Sequence, residues 1–347
     1  MTAITYAVRS LGQALKGLDR VWAALILLFA ALAVFLPAQA AESVVFTLRA
    51  FGWILPFLLI SVLLAAWLKA AGADRLIGAA VSRSPVRAIA LAAAFGALSP
   101  FCSCGVVPLM AALLAAGVPL SAVMAFAMAS PIMDPEMFVL MSVVVGLPFT
   151  LAKTVAALFM GLLAGFATLG LERAGLLTGA LKASVGCGGC AKPSLGPPEL
   201  RWAFWHEGAR RAAFAGEAKS VTLFLAKWLL LAFALESLMV AWLPPETVTA
   251  YLGGAGWGAI PLSVVVGVPA YLNGFAAIPL IGELLEMGMA PGAALAFLTA
   301  GGVTSLPAAM AVYALVKRPV FAWYLGLALV GSLAVGFGYQ GLLVLAG

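Results

Sequence analysis

Two interruptions in the first half of the chain decide the fold: residues 99–105 read SPFCSCG, and residues 130–135 read SPIMDP. They fall inside the apolar segments 86–116 and 119–147, each too long for one plain helix, because a bilayer asks for about 20 residues per span. Such breaks are tolerated at bilayer depth only where protein lines the interior. We therefore predict a re-entrant helical hairpin, then a broken span, then a full span over 149–170.

The composition indicates an all-α polytopic membrane protein. Of the 347 residues, 65% are hydrophobic and 9% are charged, whereas soluble domains carry about 25% charged residues. A surface this apolar needs the lipid bilayer as its solvent. The net charge of +6 comes from basic residues at the ends of apolar segments, where they set topology. We therefore predict no nucleic-acid partner, and the composition does not indicate an oligomeric state.

The second half of the chain repeats the first at an offset of 171 residues without a gap. The matched residues are Pro108 with Pro279, Gly117 with Gly288, Phe126 with Phe297, Pro148 with Pro319 and Gly165 with Gly336. The same offset carries the two interruptions onto residues 271–274 (YLNG) and 301–307 (GGVTSLP). We therefore predict an internal duplication whose second copy has the same hairpin, broken span and full span.

Lysine and arginine residues place three loops in the cytoplasm. They are concentrated in residues 69–87, 171–219 and 317–318. The segment 50–68 then runs inward while its counterpart 220–242 runs outward, so the two copies are inverted. Inverted repeats with broken helices are a recurring transporter design. The alternative of two plain spans in each long segment gives parallel repeats, and it conflicts with this charge distribution.

We divide the chain into four parts: an N-terminal span with an outer loop (1–48), a first membrane repeat (49–171), a cytoplasmic linker (172–219) and a second membrane repeat (220–347). The N-terminus is then cytoplasmic and the C-terminus outside, in a bacterial-type inner membrane. The first apolar run, which follows basic residues and precedes an AQA sequence, also resembles a signal peptide. We favour an uncleaved span, because the rest of the chain is a membrane protein.

The cysteines at the first interruption are the sharpest chemical feature. Cys102 and Cys104 flank Ser103 in an uncharged stretch that starts with a proline. On a regular helix two such side chains diverge by about 200°, but at a break both thiols can reach one soft centre. Thiolates select soft metal ions such as Cu(I), and trivalent arsenic and antimony are thiophilic for the same reason. The alternative is that these cysteines are small buried hydrophobes.

The chain around this motif resembles the ArsP/YraQ-type permease family. The resemblance extends over residues 50–345, and its specific part, 96–136, contains PFCSC, VPL, AGVP, AF and ASP in that order. It implies a membrane permease, and the characterised type exports trivalent organoarsenicals. It also implies that Cys102 and Cys104 handle the substrate. The sequence departs from the arsenical exporters at Gly105, where they have a neutral small or polar residue, and at Asp134, where they have an Asn-Pro. Relatives of the family include permeases associated with copper or zinc.

Carboxylates near bilayer depth are candidates for coupling transport to protons or cations. Asp134 lies at the second interruption and Glu236 lies within a later apolar segment. A charged side chain there costs about 2.5–3.5 kcal/mol on insertion scales, so it is rarely idle. Alternatively, Asp134 caps a helix that starts near Pro135, and Glu136 interacts with the dipole of the first turn.

Polar residues at the other interruptions complete the predicted substrate site. Asn273 occupies the register of Cys102, and Ser130, Thr304 and Ser305 offer hydroxyls at a similar depth. The alternatives are that Asn273 only forms a turn and that the hydroxyls bond to carbonyls freed at the breaks.

Two lysines and a second cysteine pair lie away from the interruptions. We predict that Lys153 and Lys227 extend to the headgroups at opposite ends of their spans. Cys187 and Cys190 form a CxxC in the linker, a spacing that suits metal capture or a dithiol. We predict that this pair captures thiophilic cargo from the cytosol; alternatively, the thiols are inert in a glycine-rich loop.

These observations favour a secondary permease rather than an enzyme. We predict export of a small thiophilic solute, with trivalent organoarsenicals first, by alternating access. The sequence has no Walker motif, so a proton gradient is the default driving force and no cofactor is predicted. One alternative is a transporter for copper, zinc or a sulfur-containing solute. Another is a membrane thiol–disulfide oxidoreductase that passes electrons from the CxxC to the CxC.

Overall fold

A computed structural model describes residues 19–71, 84–99, 103–115, 117–177, 180, 205–242, 256–268 and 274–346. Within these ranges the chain forms thirteen α-helices. They are α1 (Arg20–Phe35), α2 (Pro37–Ala71), α3 (Pro85–Leu98), α4 (Ser103–Ala115), α5 (Leu120–Ala129), α6 (Pro135–Val144), α7 (Leu147–Arg173), α8 (Gly208–Trp242), α9 (Ala259–Gly267), α10 (Gly274–Glu286), α11 (Pro291–Thr304), α12 (Leu306–Leu315) and α13 (Arg318–Ala346). The predicted all-α membrane fold is confirmed.

In the part of the chain that the structure describes, four helices are long and apolar enough to cross a bilayer, namely α2, α7, α8 and α13, and the bent pair α11–α12 provides a fifth candidate span. Helix α1 has 16 residues, which is about 24 Å at 1.5 Å per residue. That is shorter than the roughly 30 Å hydrocarbon core of a bilayer. The additional N-terminal span therefore stays a prediction.

The helix interruptions lie close to where the sequence predicted them. Helix α3 ends at Leu98 before α4 begins at Ser103, and α5 ends at Ala129 before α6 begins at Pro135. In the second half, Ser305 alone separates α11 from α12, which are bent by 42° relative to each other. That break is narrower than the predicted 301–307. The break predicted at 271–274 falls largely on residues outside the described ranges.

When the second half is compared at the 171-residue offset, the helices of the two halves begin at equivalent positions in five of six pairs, and α9 begins three residues later than its counterpart α3. The pairs are α2 with α8, α3 with α9, α4 with α10, α5 with α11, α6 with α12 and α7 with α13. For α2, α4 and α6 both ends coincide with those of their counterparts. This agreement is what a duplication produces, and the opposite orientation of the two copies remains a prediction.

Glycines at equivalent positions end the second helix of each hairpin. Gly117 and Gly288 have φ angles of 83° and 94°, which side chains with a Cβ rarely adopt. The amides of Gly117 and Val118 donate to the last carbonyls of α4, and those of Gly288 and Met289 do the same at the end of α10. Each pair forms a glycine C-cap, which turns the chain into the following buried helix.

Two groups of three helices form the core. Helices α3, α5 and α7 pack against one another, as do α9, α11 and α13. Helix α5 is buried along its whole length and α11 along nearly all of it, as expected for helices that are apolar on every side. The halves meet through α2 along α8, through α7 against α11 and α13, and through two crossed contacts, α4 with α12 and α6 with α10. The crossed contacts bring the broken helices to the interface between the halves.

The first helix is fastened to the second half by an ion pair. Asp19 caps the start of α1 and accepts a hydrogen bond from the amide of Val21. The Lys227 ammonium of α8 also donates to the Asp19 carboxylate. Lys227 was predicted to extend to the headgroups, and its actual partner is this carboxylate.

Candidate functional site

The second interruption of the first half has Asp134 at its exit. Asp134 is the N-cap of α6, and its carboxylate accepts a hydrogen bond of 2.7 Å from the amide of Met137. Pro135 follows in the first turn, and Glu136 is exposed there as an acidic neighbour of the helix dipole. The capping role that the sequence offered for Asp134 is therefore confirmed, and a coupling role remains compatible with it.

The corresponding interruption of the second half is built in the same way from uncharged residues. Ser305 is the N-cap of α12 and accepts from the amide of Ala308 at 3.4 Å. Ala308 is the equivalent of Met137, so the two caps use the same geometry. Thr304 ends α11 and donates its hydroxyl to the carbonyl of Ala300 at 2.7 Å. Thr304 and Ser305 are both buried.

The two interruptions lie against each other inside the bundle. A Cβ placed on Gly302 would be 3.0 Å from the carbonyl oxygen of Pro131. Gly302 and Pro131 are themselves equivalent at the 171-residue offset. When a residue touches its own counterpart, the contact lies where the two halves face each other at equivalent positions. The breaks of both halves therefore meet at this point.

The first interruption is joined to the second by a pair of serines. Ser99 follows the last residue of α3, at the start of the SPFCSCG stretch. Its hydroxyl is 2.9 Å from that of Ser130, and both side chains are buried. The first residue of the cysteine stretch therefore lies beside the second interruption of the same half.

A lysine that the sequence assigned to the headgroups belongs to this site instead. Lys153 is only 2% exposed, so the prediction of a headgroup anchor is wrong. It lies about 9 Å from the start of α7 and donates to the Met137 sulfur at 2.7 Å. The physical reason is that this face of α7 packs on α6, which leaves the side chain no route to water.

Tyr324 of α13 is the counterpart of Lys153. It is also 2% exposed, and its hydroxyl donates to the carbonyl of Val303 at 2.6 Å. Val303 lies beside the break of the second half, as Met137 lies beside that of the first. The 171-residue register pairs Lys153 with Tyr324, so two polar side chains fall at the same position of an apolar helix in each half. This pairing was the signal in the sequence that could have marked both as residues of the central site.

Glu236 is buried near the end of α8, with 8% of its surface exposed. Its Oε2 atom has no hydrogen-bond partner among the described residues. The neighbouring Ser237 donates to the carbonyl of Ala234 at 2.7 Å. A buried carboxylate costs free energy unless it is paired or protonated. Glu236 therefore remains a candidate for the group that binds the coupling proton.

Several predicted site residues are not characterised by the structure. Cys102, Asn273, Cys187 and Cys190 lie outside the described ranges. Ser103 and Cys104 are in the first turn of α4, and the structure describes their backbone alone. The juxtaposition of Cys102 with Asn273 and the cargo-binding role of the thiols therefore stay predictions.

A separate cavity of about 340 Å³ opens where α4 and α7 end. Gly117, Pro119 and Glu172 line it, together with Ala180 of the linker. The amide of Lys317 donates to the carbonyl of Ala180 at 3.0 Å, which fixes the linker at the rim. This cavity is distinct from the central interruptions. Its linker residue, Ala180, precedes Cys187 of the CxxC by seven residues.

The sequence of the chain matches that of a known family over most of its length. The model of the family ArsP_1, described as "Predicted permease", matches residues 39–340. The chain belongs to this predicted permease family. The match includes every interruption described above, so the permease contains them within its family-defining region.

Two curated relatives are similar to parts of this permease. The UPF0718 protein MJ0584 of Methanocaldococcus jannaschii is 28% identical over 109 residues, which are 31% of this chain and 30% of that protein. The UPF0718 protein YcgR of Bacillus subtilis is 35% identical over 81 residues, which are 23% of this chain and 28% of that protein. The chain thus spans less than a third of the length of these relatives. No solved structure matches the permease.

Proposed function

We propose that this permease is a secondary exporter of a small thiophilic solute, with trivalent organoarsenicals as the leading cargo class. Membership of the permease family supports membrane transport, and the adjacency of Pro131 and Gly302 is the observation that carries the mechanism. Helix interruptions that meet inside a bundle create exposed backbone dipoles where a solute can bind. The permease needs such a site because it must release its cargo to either side.

The central site offers the cargo oxygen and sulfur ligands together. Ser130, Thr304 and Ser305 are buried at the two breaks, and the Ser99–Ser130 contact holds the start of the cysteine stretch next to them. Cys102 and Cys104 would supply the thiolates that bind trivalent arsenic, since soft ligands prefer soft centres. Hydroxyls would receive the oxygen substituents of the arsenical.

Alternating access follows from two copies in opposite orientation. In that arrangement each copy can adopt the conformation of the other, and the exchange opens the central site to one side and then to the opposite side. The crossed contacts of α4 with α12 and of α6 with α10 are the surfaces that would slide. A proton gradient would drive export, with Asp134 or Glu236 as the proton acceptor.

Uptake into everted vesicles tests this function with phenylarsine oxide as the probe. Vesicles that contain the permease should accumulate the probe when the interior is acidified. Cys102→Ser/Cys104→Ser should abolish accumulation, because it removes the thiolates. Cys187→Ser/Cys190→Ser is the matched control, since it removes the same number of thiols from the linker and should lower uptake only at low probe concentration.

Unchanged uptake by Cys102→Ser/Cys104→Ser, with normal amounts of folded protein, would remove the thiol mechanism. A panel of Cu(I), Zn²⁺ and thiosulfate in the same vesicles identifies the cargo if the arsenical does not move. Thiol trapping in live membranes addresses electron transfer, since an oxidoreductase must cycle both cysteine pairs between reduced and oxidised forms.

A further inference from the structure

We infer that the structure shows the permease closed at its cytoplasmic face and open at its outer face. The opposite state forms when helices α2 and α8 move away from α4 and α12 and pack on α6 and α10. This inference rests on the proposed transport function and names the helices that open and close each face. The predicted orientation of the chain serves only to say which face is cytoplasmic.

Helices α4, α7 and α12 end at the same face of the bundle. Gly117, the C-cap residue of α4, and Glu172, near the end of α7, line one cavity. Lys317 follows α12 and donates its amide to the carbonyl of Ala180 at the rim of that cavity. The basic linker 172–219 continues from α7, so this face is the predicted cytoplasmic one.

Helices α6 and α10 end at the opposite face. Helix α7 is 27 residues long and begins directly after α6, so α6 ends at the face where α7 starts. Helix α10 packs on α6, and a Cβ placed on Gly282 of α10 would be 3.8 Å from the side chain of Val144, the last residue of α6. This face is the predicted outer one.

Helices α1, α2 and α8 are held together as one group, which we call the arm. The Asp19 carboxylate at the start of α1 accepts from the Lys227 ammonium of α8, and the Arg210 guanidinium of α8 donates to the carbonyl of Ala70 in α2 at 3.2 Å. Over the described residues, the arm packs on the rest of the permease mainly through α2 on α4 and α8 on α12. The arm therefore closes the cytoplasmic face.

The equivalent contacts are missing at the outer face. At the 171-residue offset α10 corresponds to α4 and α6 corresponds to α12. The counterparts of the two arm contacts are thus α8 on α10 and α2 on α6. Neither pair packs in a comparable way among the residues that the structure describes. A bundle closed at both faces would make all four contacts, so this one is closed at a single face.

The burial of α6 and α12 differs in the same sense. No residue of α12 is exposed, whereas six residues of α6 are. Val139 and Val143, one turn apart on the same side of α6, are 64% and 79% exposed, and Ala314, the counterpart of Val143, is 5% exposed. The arm covers α12 where Trp228 contacts Tyr313, with 6.5 Å between the ring centroids. In the opposite state the arm would cover α6 in the same way.

The exchange replaces each lost contact by its equivalent. Packed interfaces of this kind have discrete arrangements rather than a continuous range, and two oppositely oriented copies supply both of them. Phe57 and Ser142 are the counterparts of Trp228 and Tyr313, so they become neighbours when α2 packs on α6. The central interruptions then lose their access to the outside and open to the cytoplasm.

Thiol labelling tests the outer opening without any cargo. In a background whose four native cysteines are replaced by serine, a charged methanethiosulfonate reagent is added to the outside of intact cells. Val139→Cys and Val143→Cys should react, because water reaches this side of α6, whereas Ala314→Cys should not. A charged reagent stays out of the hydrocarbon, so a side of α6 that faces lipid would remain unlabelled. Absence of labelling at both valine positions overturns the outer opening.

Cross-linking with a short bismaleimide in the same background tests the exchange. Trp228→Cys/Tyr313→Cys should be joined in the state that the structure shows. Phe57→Cys/Ser142→Cys should also be joined, although α2 does not pack on α6 there, because the permease visits the opposite state. The matched control joins Phe149 and Tyr339, whose rings lie 6.0 Å apart between α7 and α13, outside the arm. If Phe57→Cys/Ser142→Cys stays unlinked while the other two pairs react, the exchange is overturned.

These outcomes are separable from those of the proposed function, because neither experiment uses a transported solute. If labelling and cross-linking give the expected results while the permease moves none of the phenylarsine oxide, the thiophilic cargo is wrong and the exchange of contacts stands. If the probe is transported while Val139→Cys and Val143→Cys remain unlabelled, transport stands and the assignment of the open face is wrong.

Discussion

Lys153 and Tyr324 lie at equivalent positions of α7 and α13, and each directs its polar end at the helix interruption of its own half. Both side chains are buried to the same extent. One position carries a charge and donates to a thioether, while the other is neutral and donates to a carbonyl. Under the predicted duplication, the position has been kept while its chemistry has diverged.

The hydroxyl of Tyr324 should contribute to stability. Tyr324→Phe removes the hydrogen bond that the Val303 carbonyl accepts from the tyrosine hydroxyl. Because this carbonyl is buried, we expect the free energy of unfolding to fall by about 1 kcal/mol. Unfolding in a detergent titration measures it. The control is Tyr339→Phe, which keeps the edge-to-face contact with Phe149 at a partly exposed position and should change stability less. Equal losses from both variants would show that the hydrogen bond to Val303 is not the cause.

Gly302 should be intolerant of a side chain where the two interruptions meet. Gly302→Ala places a Cβ 3.0 Å from the carbonyl oxygen of Pro131, and such crowding costs about 1–3 kcal/mol. We expect lower thermal stability and slower transport, because the two breaks are pushed apart. Gly326→Ala is the matched control, since a Cβ there meets nothing within 4 Å; in a helix it should be neutral or stabilising by up to about 1 kcal/mol. A fully active Gly302→Ala protein would contradict a close central contact.

The sequence predicted the helices and their interruptions because both depend on local chemistry. The stretch SPIMDP contains two prolines that interrupt a helix, and the glycine and proline register pairs Gly117 with Gly288, which form matching C-caps. The burial of Lys153 could not be predicted in this way. Helix α7 is apolar on all sides, so hydrophobic periodicity does not indicate which face packs on α6. The Asp19–Lys227 ion pair was equally hidden, because it joins residues 208 positions apart.

The Asp19–Lys227 pair should make the attachment of α1 dependent on pH. The Lys227 ammonium and the amide of Val21 lower the pKa of Asp19 below its ordinary value of 3.8. Because the folded-state pKa is the lower one, the stabilisation is complete at neutral pH and is lost as the pH falls below 3.8 through the lowered pKa. The Asp19 side chain is 44% exposed, so the pair contributes at most about 1 kcal/mol.

Melting temperatures recorded from neutral to acid pH check this expectation. Asp19→Asn should remove the acid-dependent part of the loss, since an amide cannot titrate. Glu42→Gln neutralises another exposed acid, on α2, and serves as the control that should leave the pH dependence in place. Identical pH profiles for the wild type and Asp19→Asn would exclude a contribution of this pair.

The two roles of Asp134, as a helix cap and as the proposed proton acceptor, should be separable by substitution. Asp134→Ser reproduces the cap that Ser305 provides in the second half, whereas Asp134→Ala removes it. Both variants lack the carboxylate, so their difference reports the cap alone. We expect Asp134→Ala to be less stable than Asp134→Ser by about 1 kcal/mol. Ser305→Ala, compared with the wild type, should show a loss of similar size.

Transport separates the second role from the first. Because neither Asp134→Ser nor Asp134→Ala can bind the transported proton, both should lose accumulation driven by a pH gradient, even though Asp134→Ser keeps its helix capped. Accumulation of phenylarsine oxide in everted vesicles measures this loss, and exchange of the probe without a gradient shows that the protein still moves between its two conformations. If Asp134→Ser accumulated the probe as the wild type does, capping would be the whole contribution of this residue, and the coupling proton would have to bind elsewhere, with the buried Glu236 as the next candidate.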